Sequence, residues 1–238
     1  MADALVARSP VDLAGRRVLD VGAGTGAGSR ALQAVGAEPI AIDLAFSMLA
    51  HDRAHRPPAL VADLYRPPIQ VAAVAGVLAP FVLNHVDAPT DALAALAICV
   101  EPGGVVLAST FSEDDRPPVK DLIDAVAVRH GCEMPEAYRF VRDRAAPLVG
   151  RTDAMREVAR AAGLIEVDVT ASAVDTGVSA PEDLVAYRFA LPHIAAFLAG
   201  LPPDQRAAIV AEAVEEVAAH HDGSALAPVV VVLAARVA

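Results

Sequence analysis

Basic charge is scarce. Lysine and arginine total 19 against 30 aspartates and glutamates, so the 238-residue chain carries a formal net charge of −11. A phosphate backbone is held by basic surface, and this balance argues against nucleic acid as the main partner. Cysteine is nearly absent. Cys99 and Cys132 cannot build a disulfide framework, and no metal-ligand spacing surrounds either. They read as buried thiols in a reducing compartment. Uninterrupted apolar runs are missing too: the charge-free stretch 67–86 contains Pro67, Pro68, Gln70, Pro80 and Asn84, and Ala225–Ala235 is too short to cross a bilayer. Met1–Pro10 carries Asp3 and Arg8 and has no apolar signal core. These absences predict a cytoplasmic protein with no membrane partner; separately, a monomer or a homodimer is expected.

Hydrophobic residues make up 55% of the chain, enough for a substantial core in one domain spanning 1–238. Apolar runs alternate with helical segments. Strands are expected at Arg17–Val21, Pro39–Asp43, Ala59–Asp63, Gly76–Leu83 and Val105–Phe111, with helices at Ser29–Val35, Phe46–His55 and Thr90–Val100 between them. Continuous apolar strands alternating with helices predict a mostly parallel sheet covered on both faces. The spacing then changes. Helices are expected over Pro118–His130, after a Thr152 cap, after a Ser179–Glu182 capping box and after Pro202-Pro203-Asp204, with strands at Leu164–Thr170 and Val229–Ala235. Helical cap elements are therefore placed at about 112–150 and 175–222.

One segment carries the chemistry: Val18-Leu19-Asp20-Val21-Gly22-Ala23-Gly24-Thr25-Gly26. Glycines at alternate positions let the backbone turn sharply and approach a ligand closely. The helix that follows offers free N–H groups to an anion such as a carboxylate. Asp43 is placed at the end of the second strand, where a carboxylate can accept both ribose hydroxyls, and Asp63 at the end of the third.

Together with LDVGAGTG (Leu19–Gly26), the segments AIDLAFSML (Ala41–Leu49), VADL (Val61–Leu64), FVLNHV (Phe81–Val86) and EPGG (Glu101–Gly104) resemble class I S-adenosylmethionine-dependent methyltransferases. The likeness is to the small-molecule type related to quinone-biosynthesis enzymes. It implies a three-layer, Rossmann-like, seven-stranded α/β sheet with an antiparallel last strand and a helical lid insertion. It also implies S-adenosyl-L-methionine as cofactor, S-adenosyl-L-homocysteine as product, no metal, and a small, largely apolar or aromatic acceptor from specialised metabolism. By that resemblance Asp20 and the loop Gly22, Ala23, Gly24 and Gly26 hold the methionine end. Asp43 binds the ribose, Leu44 and Met48 flank ribose and adenine, and Asp63 and Leu64 meet the adenine ring. Ala79, Pro80 and Phe81 line the cofactor near its methyl group. The family's usual acid at the start of the fourth strand is absent from Val74-Ala75-Gly76-Val77.

Competing readings stay open beside this one. Gly22-x-Gly24-x-x-Ala27 loosely fits a nicotinamide-binding fingerprint. A methyltransferase-like chain can also catalyse another reaction such as cyclisation, or only bind. His85 is a candidate general base or a loop-packing residue. His51 and His55 have metal-ligand spacing but no third ligand, which reads as a solvated pair. Tyr138, Phe140, Tyr187, Phe189 and Phe197 suit either a pocket wall or a core.

Overall fold

Among the described residues, five helices begin on a proline: α4 (Pro89–Cys99), α5 (Pro118–Arg129), α8 (Pro181–Phe189), α9 (Pro192–Ala199) and α10 (Pro203–His220). Proline fixes the helical φ and lacks an N–H where that N–H would have no intrahelical partner. At α8 this device stands in place of the side-chain cap expected from the sequence. Neither Thr152 nor Ser179 caps a helix: Thr152 is the first residue of α7 (Thr152–Ala161), and α8 starts at Pro181 behind Ala180. The computed structural model describes residues 1–51, 53–115 and 117–238.

The chain divides into two units. The first comprises Met1–Glu113, Asp143–Ser172 and Val230–Ala238, and the second Asp114–Arg142 and Ala173–Val229. The expected cap segment 112–150 is thus split, because 143–150 belongs with the sheet.

Seven strands form the first unit's sheet: β1 (Arg17–Val21), β2 (Glu38–Asp43), β3 (Ala59–Val61), β4 (Val74–Pro80), β5 (Val100–Phe111), β6 (Ile165–Ala173) and β7 (Val229–Arg236). Their order is β3-β2-β1-β4-β5-β7-β6. The first five run parallel, and β7 pairs antiparallel with β5, from Val105 opposite Arg236 to Phe111 opposite Val230. The sheet expected from the sequence is therefore present, antiparallel strand included.

Alternation along each strand divides the core between two faces. Leu19, Val21, Val77, Ala79, Val106 and Ala108 pack with Ala92, Leu93 and Leu96 of α4 and with Met155 and Ala159 of α7. Val18, Leu78, Val105 and Leu107 face the other way, against Leu5 and Val6 of α1 (Ala2–Val6) and Ala31 and Leu32 of α2 (Ala27–Ala34). Asp20 shares the side of β1 that meets α2.

Strand ends depart from expectation in ways that matter for the site. β4 starts at Val74 and stops at Pro80, not at Leu83. Phe81 takes a left-handed backbone (φ 55) that ends the strand, and Leu83–His85 is a single 3-10 turn. β3 ends at Val61, so Asp63 lies past the strand in a turn. The helix expected over Phe46–His55 is α3 (Phe46–Ala50) followed by a 3-10 turn at Arg53–His55, and Asp52 lies outside the described residues.

The second unit has its own core. Val119, Ile123 and Val126 of α5, Leu184, Val185 and Phe189 of α8, and Ile209, Ala213 and Val217 of α10 pack together. Arg188 of α8 forks onto Asp124 of α5 at 2.7 and 2.5 Å. Tyr187 and Phe197 pack against this core. Tyr138, in α6 (Glu136–Phe140), lies 4.0 Å from the ring of His193. Among the described residues, no helix is long and apolar enough to cross a membrane.

Candidate functional site

The glycine loop leaves β1 and turns into α2 with positive φ at Gly22 (63), Gly24 (53) and Gly26 (91). Two hydrogen bonds fix it locally: Ala23 donates to the carbonyl of Ile42 at 3.0 Å, and Gly26 to that of Ala23 at 2.8 Å. Asp43 at the end of β2 completes the arrangement. Its Oδ2 accepts the Gly24 N–H at 2.8 Å, and its Oδ1 accepts the Ala45 N–H, also at 2.8 Å. A carboxylate has about four lone-pair directions, so Asp43 retains acceptor capacity after both bonds. Loop and acid, distant in sequence, are thus one construction.

Beside Asp43 the chain exposes apolar surface. Leu44 is 74% exposed, Phe46 70% and Met48 42%. Leu44 and Met48 were expected here from the sequence; Phe46 was missed, although its place at the start of a short helix directly after the acid could have flagged it.

Asp20 is completely buried under the loop. The Ser29 hydroxyl donates to its Oδ2 at 2.6 Å, while Oδ1 has no hydrogen-bond partner among the described residues. A Cβ on Gly28 would meet Oδ1 at 2.4 Å, so α2 approaches β1 this closely only through a glycine. Burial pushes the Asp20 carboxyl up from 3.8 to about 6, against the pull of Ser29 and of the positive charge of Arg56. A folded pKa above the unfolded value means the contribution is complete below pH 3.8 and is lost as pH rises through about 6. Asp20→Asn imitates the protonated acid. Urea unfolding should show the variant gaining on the wild type between pH 4 and pH 7.5, by roughly 1.4 kcal/mol per unit of raised pKa. A gap that stays constant over that range contradicts the assignment.

Asp63 is exposed, and its Oδ1 accepts the Tyr65 N–H at 3.0 Å, which makes the turn after β3. Leu64 and Tyr65 pack on the core, and the Tyr65 hydroxyl bridges Asp87 Oδ1 at 2.8 Å and the Ala88 N–H at 3.0 Å. Of the three residues expected near the methyl group, Ala79 is entirely buried within β4 and offers no surface. Pro80 and Phe81 are half-exposed. The Phe81 N–H reaches the Ser109 carbonyl at 2.8 Å, and its ring meets that of Phe111 at 4.6 Å between centroids. A phenylalanine held left-handed is strained, and such strain clusters where a site dictates backbone shape.

His85 is exposed at the end of the 3-10 turn, and the protein mass beside it lowers its pKa. Its neighbour Asn84 is buried with Oδ1 unpaired among the described residues, a feature the sequence did not signal. His51 and His55 join no group of three metal ligands among the described residues.

A family described as a methyltransferase domain matches residues 19–108. Residues 19–108 are thus similar to a methyltransferase domain. Every site residue named above, from Asp20 to His85, falls inside it. Curated relatives agree with the likeness to quinone-biosynthesis enzymes. A malonyl-acyl-carrier-protein O-methyltransferase of Enterobacter lignolyticus is 33% identical over 142 residues, covering 59% of this chain and 54% of that protein. A demethylmenaquinone methyltransferase of Renibacterium salmoninarum is 30% identical, with coverages of 54% and 58%. A ubiquinone biosynthesis O-methyltransferase of Bordetella avium is 39% identical, with coverages of 44% and 46%. The matches span about half the length of these curated relatives.

Solved structures share the fold of the whole chain. Phosphoethanolamine N-methyltransferase 2 of Haemonchus contortus, solved with S-adenosyl-L-methionine, superposes with a TM-score of 0.61 at 18% identity, covering 99% of this chain and 51% of that one. An S-adenosylmethionine-dependent methyltransferase of Mesorhizobium loti gives 0.57 at 18%, covering 99% and 98%. The cyclase SpnF gives 0.59 at 21%, covering 99% and 79%.

Proposed function

We propose that the protein transfers a methyl group from S-adenosyl-L-methionine to a small, largely apolar or aromatic acceptor. The observation that carries this reading is the hydrogen bond from Gly24 to Asp43, which joins the strand-end acid to the glycine loop within the residues that match a methyltransferase domain. The residues present suit the cofactor. Asp43 keeps lone pairs for a ribose diol. Exposed Leu44, Phe46 and Met48 suit the faces of a purine, and the unpaired Oδ1 of Asp20 lies under the loop assigned to the amino-acid end. When bound, the cofactor supplies an electrophilic methyl on a cationic sulfur.

The chain's own residues then bind and orient. Asp63 and the Leu64 N–H would hold the adenine edge, and Pro80 and Phe81 would supply an apolar wall toward the methyl end. The names of the relatives draw the acceptor toward quinol-like hydroxyls or carbons rather than toward specialised metabolism. In-line displacement gains much of its rate from placement alone. His85, with its lowered pKa, is neutral at pH 7 and can take a proton from a hydroxyl acceptor. His85→Ala is expected to lower kcat with a phenolic acceptor by roughly 10²–10⁴-fold at pH 7, with the loss shrinking as the acceptor ionises at higher pH. An unchanged kcat across pH removes His85 from the chemistry.

The direct test is formation of S-adenosyl-L-homocysteine on incubation with the cofactor and a set of quinols, catechols and a malonyl thioester. Product with any of them supports transfer. Cofactor binding without product from any acceptor favours a non-methylating reaction, for which the cyclase among the fold neighbours is the precedent.

A further inference from the structure

Arg56 belongs to none of the motifs and stands apart from the sheet, yet its guanidinium reaches into the glycine loop. Its Nη2 donates to the carbonyl of Gly24 at 2.8 Å, to that of Met48 at 3.0 Å and to that of His51 at 3.2 Å. The first belongs to the loop between β1 and α2. The other two are carbonyls at the C-terminal end of α3, which the helix itself leaves without donors. Both polar backbone groups of Gly24 are therefore held by charged side chains: the N–H by Asp43 and the C=O by Arg56.

This is an expensive way to pin a loop. Nε and Nη1 of Arg56 are buried with no partner among the described residues. A buried donor left unmade carries its full desolvation penalty, and an apolar residue could fill the space without it. The one thing an apolar residue could not supply is a shared donor for carbonyls on two separate segments. Those segments are the two on which the proposed cofactor site is built. Gly24 lies in the loop for the amino-acid end, and Met48 lies on the apolar wall beside Asp43. The positive charge also acts on the buried Asp20 below the loop.

We infer that Arg56 is a positioning residue for cofactor binding, locking the glycine loop to α3 so that both walls of the pocket are set relative to one another before ligand arrives. The inference rests on the proposed function, since it needs an adenosyl ligand to span the two walls. Preorganisation of this kind acts on affinity, because ordering that is complete beforehand is not charged against binding.

Three proteins separate the possibilities: wild type, Arg56→Met and Arg56→Lys, each titrated calorimetrically with S-adenosyl-L-homocysteine and followed by hydrogen exchange. Methionine keeps the bulk and loses every donor, while the lysine ammonium has three N–H groups for the three carbonyls. Arg56→Met should bind at least about tenfold more weakly. Exchange should quicken in 22–26 and 46–51 and stay unchanged in β1, β4 and β5. Arg56→Lys should recover most of the affinity. Wild-type affinity in Arg56→Met overturns the inference. So do equal losses in both variants with exchange quickened throughout the sheet, which would mark a merely structural residue. A wild type that binds no S-adenosyl-L-homocysteine overturns the underlying function itself, and this inference with it.

Discussion

Gly22→Ala is expected to cost the fold about 2–5 kcal/mol, because two penalties fall on one atom. The position has a φ of 63, and a Cβ there would lie 2.6 Å from Cγ2 and 2.9 Å from Cβ of Val82. Neither contact can relax cheaply: Val82 follows the strained Phe81, and Leu83, fully buried, anchors the turn. Urea unfolding measures the loss. The double variant Gly22→Ala/Val82→Ala separates the two penalties, since it removes the Cγ2 clash and leaves the backbone penalty and the Cβ contact in place. The double variant should therefore recover part of the stability and never all of it. A single variant within about 0.5 kcal/mol of wild type contradicts the close approach of loop and turn.

Asp43→Ala should have the largest effect on ligand binding. The substitution removes the acceptor of the Gly24 N–H and of the Ala45 N–H, and with them the group proposed to bind the ribose diol. Hydrogen bonds to a charged partner contribute roughly 1.5–3 kcal/mol each. Losing two to the ligand, in a loop that is also loosened, predicts a fall of about 100-fold or more in S-adenosyl-L-homocysteine affinity. Asp43→Asn keeps one carbonyl acceptor and should fall between. Calorimetry on all three proteins checks the order, with unfolding curves confirming that each is folded. Equal affinity in the alanine variant would take Asp43 out of the site.

The sheet was legible because its strands are continuous apolar runs punctuated by glycine and proline. The antiparallel β7 was legible from its β-branched composition together with the family likeness. Strand ends were not, for reasons that lie in single residues. Phe81 ends β4 by adopting a backbone that phenylalanine rarely takes, and no local pattern announces it. Asp63 turns its carboxylate onto the Tyr65 N–H, so β3 stops short of it. Thr152 and Ser179 matched cap patterns, but α7 takes Thr152 as its first helical residue and Pro181 starts α8 without Ser179.

Within the site, glycines and strand-end acids were readable as types at spacings. What they are bonded to was not. Asp43 on the Gly24 amide and the solitary oxygen of Asp20 both depend on the fold bringing separate segments together. Arg56 is the extreme case: a single arginine before Pro57-Pro58 gives no hint of three carbonyls on two other segments. The aromatic residues of the second unit were readable as apolar but not as core. Phe189 is buried and Phe197 packs against the same cluster, whereas Tyr138 pairs with His193.

The most direct test is a calorimetric titration of the wild-type protein with S-adenosyl-L-methionine and, separately, with a nicotinamide dinucleotide, since a loose fingerprint in the same loop fits the latter. The account predicts saturable binding of S-adenosyl-L-methionine, competed by S-adenosyl-L-homocysteine, and no heat from the dinucleotide. Saturable binding of the dinucleotide with none of S-adenosyl-L-methionine would contradict it.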